Sequence, residues 1–454
     1  MTFEEASGAY SLLECIRLTE ASYQRSRPGF TPPENPAFAD FLARAKYAEG
    51  SKLQGRIAFD VTYLLKLARV TGVQRVAFEL ARSFLEMPKA GGMEFFFIGL
   101  NGTFFEVYES TPNEYGLRFR PTGKTVDFRP GDQVLVVDLI QTGYAEFFHA
   151  VFRARKSGAV LNLVVHDIIW LVNTAWAIDE SAVQMLVRWT QILRFADRLI
   201  CVSRKVSRDV ACYVAETSMV GLTPTRSLPV AYFTLGCDPA LSGEPQVSQP
   251  AFPVDRTTLV AVGTFTTRKG LNQLFKAMQL LWAEGSEAKL VLIGMDIGAG
   301  NTRRFLAGQP EFNTKLFLPG YVSDSDMKLT LETCGALVYP ALDEGFGLPL
   351  VEAAHLGCPT IARDIEIFRE TSGGDAFFFE NGDAGKIAEG LRKWLALSRK
   401  QQLKFVPKKS LVTWRQSAEM LKAIMFQGAS SFAVEVGLKA TVNLAVPGRT
   451  AGAV

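Results

Sequence analysis

From residue 55 onward the chain alternates short apolar runs with longer amphipathic stretches, and it does so twice, on either side of a proline-rich break. RIAFD (56–60), MEFFFIGL (93–100), QVLVVD (133–138), AVLNLVV (159–165) and RLICV (198–202) are rich in Val, Ile and Phe and bounded by Gly, Asp or Ser. That is the pattern of strands buried on both faces. Between or after them, GVQRVAFELARSFLE (72–86), SAVQMLVRWTQILRFA (181–196) and SRKVSRDVACYVAE (203–216) carry helical spacing. Strand, helix, strand in repetition predicts a parallel sheet with helices on both faces.

GCDPALSGEPQVSQPAFPVDR (236–256) then carries four prolines and no periodicity, so it reads as a linker. The alternation restarts with TLVAVG (258–263), a helix over 270–284, KLVLIG (289–294), KLFLPG (315–320), a helix over 324–334, ALVYP (336–340), a helix containing Glu352, PTIA (359–362) and AFFFE (376–380). The expected class is α/β, with two doubly wound domains. Their boundaries are an accessory segment over 1–54, a first domain over 55–237, a linker over 238–257, a second domain over 258–425 and a tail over 426–454. The tail ends PGRTAGAV (447–454), a composition of disorder or of a docking segment. Two such domains place the carboxyl ends of both sheets across a shared cleft, where open α/β sheets take their ligands.

Composition narrows the class. Hydrophobic residues are 48% and charged residues 21% of the 454, the balance of a globular chain. A net charge of +3 argues against nucleic acid, and a basic cluster such as RARK (153–156) reads as a solvated face. The six cysteines are scattered without C-x-x-C spacing and there are only three histidines, so reduced thiols are expected rather than a zinc site. The start, MTFEEASGAY, is acidic where a signal peptide is basic, and no apolar run reaches the 18 or so residues that span a bilayer. The expected compartment is the cytoplasm.

The densest chemistry lies in DEGFGLPLVEAAHLG (343–357), which follows the strand ALVYP and leads into a helix. Pro349 suits the first turn of that helix and Gly357 its end. The loop Glu344, Gly345, Phe346, Gly347, Leu348 therefore sits at the carboxyl end of a strand and at the positive end of a helix, where backbone N–H groups bind anions. Glu344 lies in the loop and Glu352 inside the helix, so the two carboxylates can meet different parts of one bound molecule. The sequence D-S-D at 324–326 offers a D-x-D pattern like that of a metal site, but it opens an amphipathic helix and reads as a cap with an acidic first turn.

EGFGLPLVE resembles the Glu-x7-Glu signature of family-4 retaining glycosyltransferases (glycosyl transferases group 1), which have the GT-B architecture of two Rossmann-like domains facing a cleft. The resemblance covers most of 55–425 and returns in VVHDIIWL (164–171), ADRLICVSRKVSRDV (196–210), LGCDPA (235–240), VGTFTTRKG (262–270), the run 320–349 and PTIARDIEIFRE (359–370). It implies that Glu344 stabilises charge at the donor sugar and Glu352 binds the nucleotide ribose. It implies that the amides of Gly345 to Leu348 hold diphosphate and sugar hydroxyls, that Arg268 and Lys269 neutralise the leaving phosphate beside Gly263, and that His166 contacts the sugar. A core histidine and a solvated Arg-Lys pair are the bland alternatives. Many members carry an arginine after the glycine of the first strand of the second domain; here that position is Thr264, which leaves the work to Arg268 and Lys269.

On the acceptor side, RVTGVQRVAFEL (69–80) resembles the Thr-Gly-x-x-Arg form of the family's acceptor loop, associated with bacterial enzymes that build O-antigen, capsule or exopolysaccharide. Gly72 would let the loop pass close to the phosphates, and Arg75 would order it or reach a substrate; an ordinary helix start is the alternative. The expectation is a retaining transferase without metal or cofactor that moves a hexose or deoxyhexose from a nucleotide-diphosphate sugar, GDP-mannose or a GDP-linked relative first and UDP-sugars second. Its acceptor would be a growing glycan or a lipid-linked oligosaccharide. Contact with the inner face of the plasma membrane and the oligomeric state stay open, and a carbohydrate phosphorylase or a silent GT-B scaffold are the rival classes.

Overall fold

A computed structural model describes residues 55–66, 72–87, 93–113, 116–138, 144–172, 192, 195–219, 228–237, 252–296, 301–407 and 411–427. The accessory segment 1–54, residues 69–71 of the expected acceptor loop, nearly all of the expected helix over 181–196, residues 238–251 of the linker and the tail beyond 427 lie outside the described residues.

The first domain is built on an eight-stranded sheet of order β4-β3-β2-β1-β5-β6-β7-β8. Its strands are β1 (Arg56–Asp60), β2 (Glu94–Asn101), β3 (Phe104–Asn113), β4 (Gly116–Thr125), β5 (Gln133–Val136), β6 (Val160–Val165), β7 (Arg198–Cys201) and β8 (Val230–Tyr232). β1 runs parallel to both β2 and β5, with Phe59 opposite Phe97 on one side and Leu135 on the other. Phe59 is fully buried and packs edge-on to Phe84, Phe95 and Phe97, which explains the aromatic density of these runs. The sheet is not wholly parallel: β2, β3 and β4 form an antiparallel meander at one edge. β2 and β3 are joined by the two-residue turn Gly102-Thr103, with Asn101 paired to Phe104 and Gly102 at φ 57°, a hairpin turn that places glycine at its first central position. β3 and β4 mix polar with apolar residues and carry one proline each, Pro112 and Pro121, so neither stands out as an apolar run; β4 is the edge strand and β3 lies between it and β2.

The second domain has six parallel strands in the order β11-β10-β9-β12-β13-β14. They are β9 (Thr258–Val262), β10 (Lys289–Ile293), β11 (Leu316–Gly320), β12 (Ala336–Tyr339), β13 (Thr360–Arg363) and β14 (Phe377–Phe379). Each matches an apolar run of the sequence, because a strand covered by helices on both faces needs no polar alternation. The chain reaches the far edge at β11 and returns to pair β12 with β9, so the crevice between the carboxyl ends of β9 and β12 is the topological switch point. Loops 263–270 and 340–347 both leave the sheet there.

Near its end the described chain goes back. Helix Trp414–Gln427, whose residues fall almost wholly in the range expected for the second domain, packs on the first-domain helix Gly72–Glu86. Ala418, Leu421 and Ile424 are fully buried in the first-domain core. Ser417 Oγ donates to the Thr234 carbonyl at 2.7 Å, and a Cβ on Gly236 would lie 2.4 Å from the backbone of Trp414. The same apolar cluster continues into Phe346, Leu350, Val351, Ile367 and Phe368 of the second domain, so the two sheets share packing at the cleft floor.

Candidate functional site

Glu344 sits at the switch point, 7% exposed, between two cations supplied by the other loop. Lys269 Nζ is 2.5 Å from Oε1 and Arg268 Nη1 is 3.0 Å from Oε2. Residues 267–269 make a single turn of 3-10 helix closed by Gly270 at φ 67°, and a Cβ on Gly270 would come within 2.3 Å of the Pro340 carbonyl. Only glycine fits there, which lets the Arg-Lys turn lie directly against the strand that precedes Glu344. Burial pushes the Glu344 carboxyl up, but Lys269 and Arg268 outweigh it and hold the group below the usual glutamate range. Burial likewise works against the Arg268 guanidinium, and Glu344 with Asp167 more than restores it.

Beneath this clamp lies Tyr339, the last residue of β12. Its hydroxyl is pushed well up by burial and then by the Glu344 carboxylate, and Lys269 Nζ lies 5.8 Å from the centre of its ring. In the sequence Tyr339 stands inside the apolar run ALVYP, where a tyrosine at a strand end carries no periodic signal of function.

The loop after Glu344 is shaped by contacts that exclude larger residues. A Cβ on Gly345 would stand 1.9 Å from the His166 carbonyl oxygen, so the second domain's loop touches the first domain's His-Asp segment backbone to backbone. Phe346 is buried in the shared apolar cluster. Gly347, at φ 92°, caps helix Leu348–His355, and a Cβ on it would press on Phe368 and Tyr339. Leu348 is the first helical residue and Pro349 the second, so the expected helix start stands one residue earlier than the proline. Gly263 follows β9, where its amide donates to Ile293 at 2.9 Å and its α-carbon faces the Lys269 stem.

His166 follows β6 and is buried. Its Nε2 lies 2.8 Å from the Val137 carbonyl, and since a carbonyl only accepts, Nε2 carries the proton and Nδ1 is left as an acceptor. Burial lowers its pKa, against the Val137 bond and Asp167, so the ring is neutral near pH 7. The other first-domain residue singled out in the sequence, Arg75, reaches across the cleft: its Nη1 is 3.1 Å from Glu352 Oε1. Glu352 raises the Arg75 pKa, against burial, with Asp324 and Glu79 adding to it. Gly72 opens the Arg75 helix and is exposed, and a Cβ on it would meet nothing within 4 Å. The structure thus joins Glu344, Lys269 and Arg268 in one cluster, Arg75 and Glu352 in a second, and brings His166 against Gly345.

Asp324 and Asp326 form the acidic first turn of helix Asp324–Thr333, whose cap is Ser323, accepting from Asp326 N at 3.0 Å. Among the described residues no group of three or more His, Cys, Asp or Glu side chains converges to hold a metal ion. Also among them, no helix is long and apolar enough to cross a membrane.

Comparison with known proteins agrees with this arrangement. Residues 244–409 match the family model for glycosyl transferases group 1. The chain is 31% identical over 396 residues to the serotype-specific mannosyltransferase WbdA of Escherichia coli, a match over 84% of this chain and 47% of that protein. It is 28% identical over 124 residues to the O-antigen chain mannosyltransferase RfbU of Salmonella typhimurium, over 27% of this chain and 34% of that one. The chain spans about half the length of the WbdA relatives it matches. Among solved structures, the catalytic domain of starch synthase IV from Arabidopsis thaliana superposes with a TM-score of 0.56 at 12% identity, covering 84% of this chain and all of that one. Sucrose-phosphate synthase from Thermosynechococcus elongatus gives 0.53 at 16% identity over 82% of this chain and 97% of that one. The chain thus has two Rossmann-like domains in the GT-B arrangement, and its residues 244–409 match the glycosyl transferases group 1 family model.

Proposed function

We propose that the chain is a retaining, metal-independent glycosyltransferase that moves a hexose or deoxyhexose from a nucleotide-diphosphate sugar, GDP-mannose first, onto a growing surface glycan such as O-antigen. The observation that carries this reading is the buried Glu344 clamped by Lys269 and Arg268 at the switch point, with Glu352 one helix turn further along. Breaking a sugar-diphosphate bond leaves an oxocarbenium-like sugar and puts new charge on the departing phosphate oxygen. Fixed charges of both signs in a water-poor cleft stabilise both products of that separation. Glu344 serves the sugar; Lys269, Arg268 and the amides from Gly345 to Leu348 at the helix terminus serve the diphosphate. Glu352 receives the ribose, with Arg75 as its partner from the acceptor side, and the free Nδ1 of His166 accepts from a sugar hydroxyl. Because side chains and a helix end supply the positive charge, no metal is assigned. The mannosyltransferase names of the relatives favour a mannosyl donor.

Thermal stabilisation by GDP, UDP, ADP and dTDP, each with and without EDTA, tests this. A nucleotide that binds only the folded state at 100 times its Kd adds about 2.7 kcal/mol, a shift of degrees. The expected result is a clear rise with GDP that EDTA leaves unchanged. A larger rise with UDP moves the donor to UDP-sugars, and an EDTA-sensitive rise overturns the metal-free assignment. No rise with any nucleotide overturns the donor site and favours a scaffold.

A further inference from the structure

The first turn of helix Arg204–Met219 belongs to the first domain, yet most of its polar groups turn to the second. Ser203 Oγ accepts from Val206 N at 3.1 Å, capping its own helix, and donates to the Gly345 carbonyl at 2.7 Å. The backbone amides of Arg204 and Lys205 donate to the two carboxylate oxygens of Glu370 at 2.7 and 3.0 Å. Arg208 makes a two-pronged pair with Glu366 at 2.5 and 2.6 Å. Lys205 Nζ lies 3.0 Å from Asp209, one turn along its own helix, and 2.7 Å from Asp343 Oδ1 in the second domain.

Burial separates these contacts by weight. Arg208 and Glu366 are 43% and 51% exposed, and pairs of that kind contribute little. Lys205 is 12% exposed, and its partner is the residue immediately before Glu344. Asp343 is a joint with two ends. Its Oδ1 accepts from Glu344 N at 2.8 Å, and its carbonyl accepts from Arg268 Nη1 at 2.9 Å. Two members of the Glu344 cluster, Glu344 through its amide and Arg268 through its guanidinium, therefore hang from Asp343, and Lys205 is the cation in ion-pair contact with it. Burial pushes the Asp343 carboxyl up, Lys205 draws it down, and nearby Asp209 pushes it up again. Without the ammonium, burial and Asp209 both oppose the Asp343 charge.

We propose that Lys205 is a positioning residue for the transfer step: from the opposite domain it holds Asp343, and through Asp343 it fixes the amide of Glu344 and the guanidinium of Arg268. Glu344 is then correctly set only while the two domains are together, so donor turnover is tied to domain closure. Asp209 pre-orients the Lys205 side chain, so little is spent on ordering it at contact. This rests on the reading of Glu344 as the group at the reacting sugar.

The test uses the full chain and compares Lys205→Met, Lys205→Arg and the rim control Arg208→Met. The readouts are steady-state turnover of GDP-mannose (or of a UDP-sugar if UDP is the stabilising nucleotide) and calorimetric binding of the matching nucleoside diphosphate. Lys205→Met is expected to lower kcat by about 10²-fold while Kd for the nucleotide moves less than about threefold; Lys205→Arg restores most of kcat, and Arg208→Met changes neither by more than about twofold. A Lys205→Met variant with wild-type kcat overturns the proposal. So does one in which kcat and nucleotide affinity fall together with the melting midpoint, since that is a purely structural role. A second arm removes the dependence on that single variant. Asp343→Asn keeps an oxygen for the Glu344 amide without the charge, and adding Lys205→Met to it is expected to cost no more than about a further twofold. Full multiplicative loss overturns the route through Asp343. Glu344→Gln, run alongside, keeps the two readings apart: full activity there overturns the role of Glu344, whereas loss there with none in Lys205→Met overturns only the role of Lys205.

Discussion

Asp60 and Glu344 are both carboxylates buried at the carboxyl edge of a sheet, one in each domain, and burial has opposite results for them. Asp60 ends β1, 3% exposed, and accepts from the amide of Thr62 at 3.0 Å and from its hydroxyl. No cation among the described residues is in ion-pair contact with it. Burial first, with Asp138 nearby, pushes its pKa up to about 6 in spite of the two Thr62 bonds. Glu344 is about as buried but lies between Lys269 and Arg268, and it is held down. Two buried carboxylates, one ending a strand of the first sheet and one in a loop beyond a strand of the second, thus differ: the first gives up charge easily and the second is held as an anion. The cations, not the depth, decide which, and the Arg-Lys turn that brings them follows a strand of the second sheet.

Three changes break or sharpen this contrast. Removing the locked anion has the largest effect: Glu344→Gln is expected to lower kcat by about 10³-fold while nucleotide affinity, proposed to rest on Glu352 and the loop amides, stays within a few-fold. Equal loss of affinity would mean that Glu344 binds donor rather than stabilising transfer. Lys269→Met makes Glu344 more like Asp60. Turnover is expected to fall by about 10²-fold. The acid limb of its pH profile should also move upward, because a carboxyl that has lost a cation protonates at higher pH; an unmoved limb would assign it to another group. Asp60→Asn has the smallest effect, and it appears in stability. The folded state keeps the Asp60 proton up to about pH 6 while the unfolded chain releases it near 3.8, so the native protein loses stability as pH rises through that window. The substitution is therefore expected to stabilise by up to about 3 kcal/mol above pH 7 and by almost nothing at pH 4. Melting midpoints at the two pH values check it, and an equal change at both rejects the titration account.

The same contrast marks what was legible in the sequence. All six strands of the second sheet stand out as apolar runs, and the loop 344–348 could be placed by its glycines, its proline and the helix behind it, because the information is local. The meander strands β3 and β4 do not stand out, since a strand with one face toward solvent mixes polar and apolar residues much as a loop does. Pairings across the cleft escaped for a different reason. Arg75 was noticed as a candidate, but its partner Glu352 lies on the other domain. Lys205 and Asp343, 138 positions apart, look like ordinary surface charges until the sheets are set face to face. Tyr339 was hidden by its own surroundings, an aromatic at the end of a strand that any core would accept.

Helix Trp414–Gln427 completes the core of the domain that the chain began at residue 55, and between them stands a whole second domain. A ribosome therefore releases this protein in a nested order. The segment 258–407 has every strand of its own sheet in hand and can fold as it emerges, whereas the earlier-made domain waits with an uncovered apolar face for Trp414, Ala418, Leu421 and Ile424. Of these two domains the one translated earlier is the later to close, and a nascent chain halted before residue 414 carries a finished second domain beside an unsealed first one.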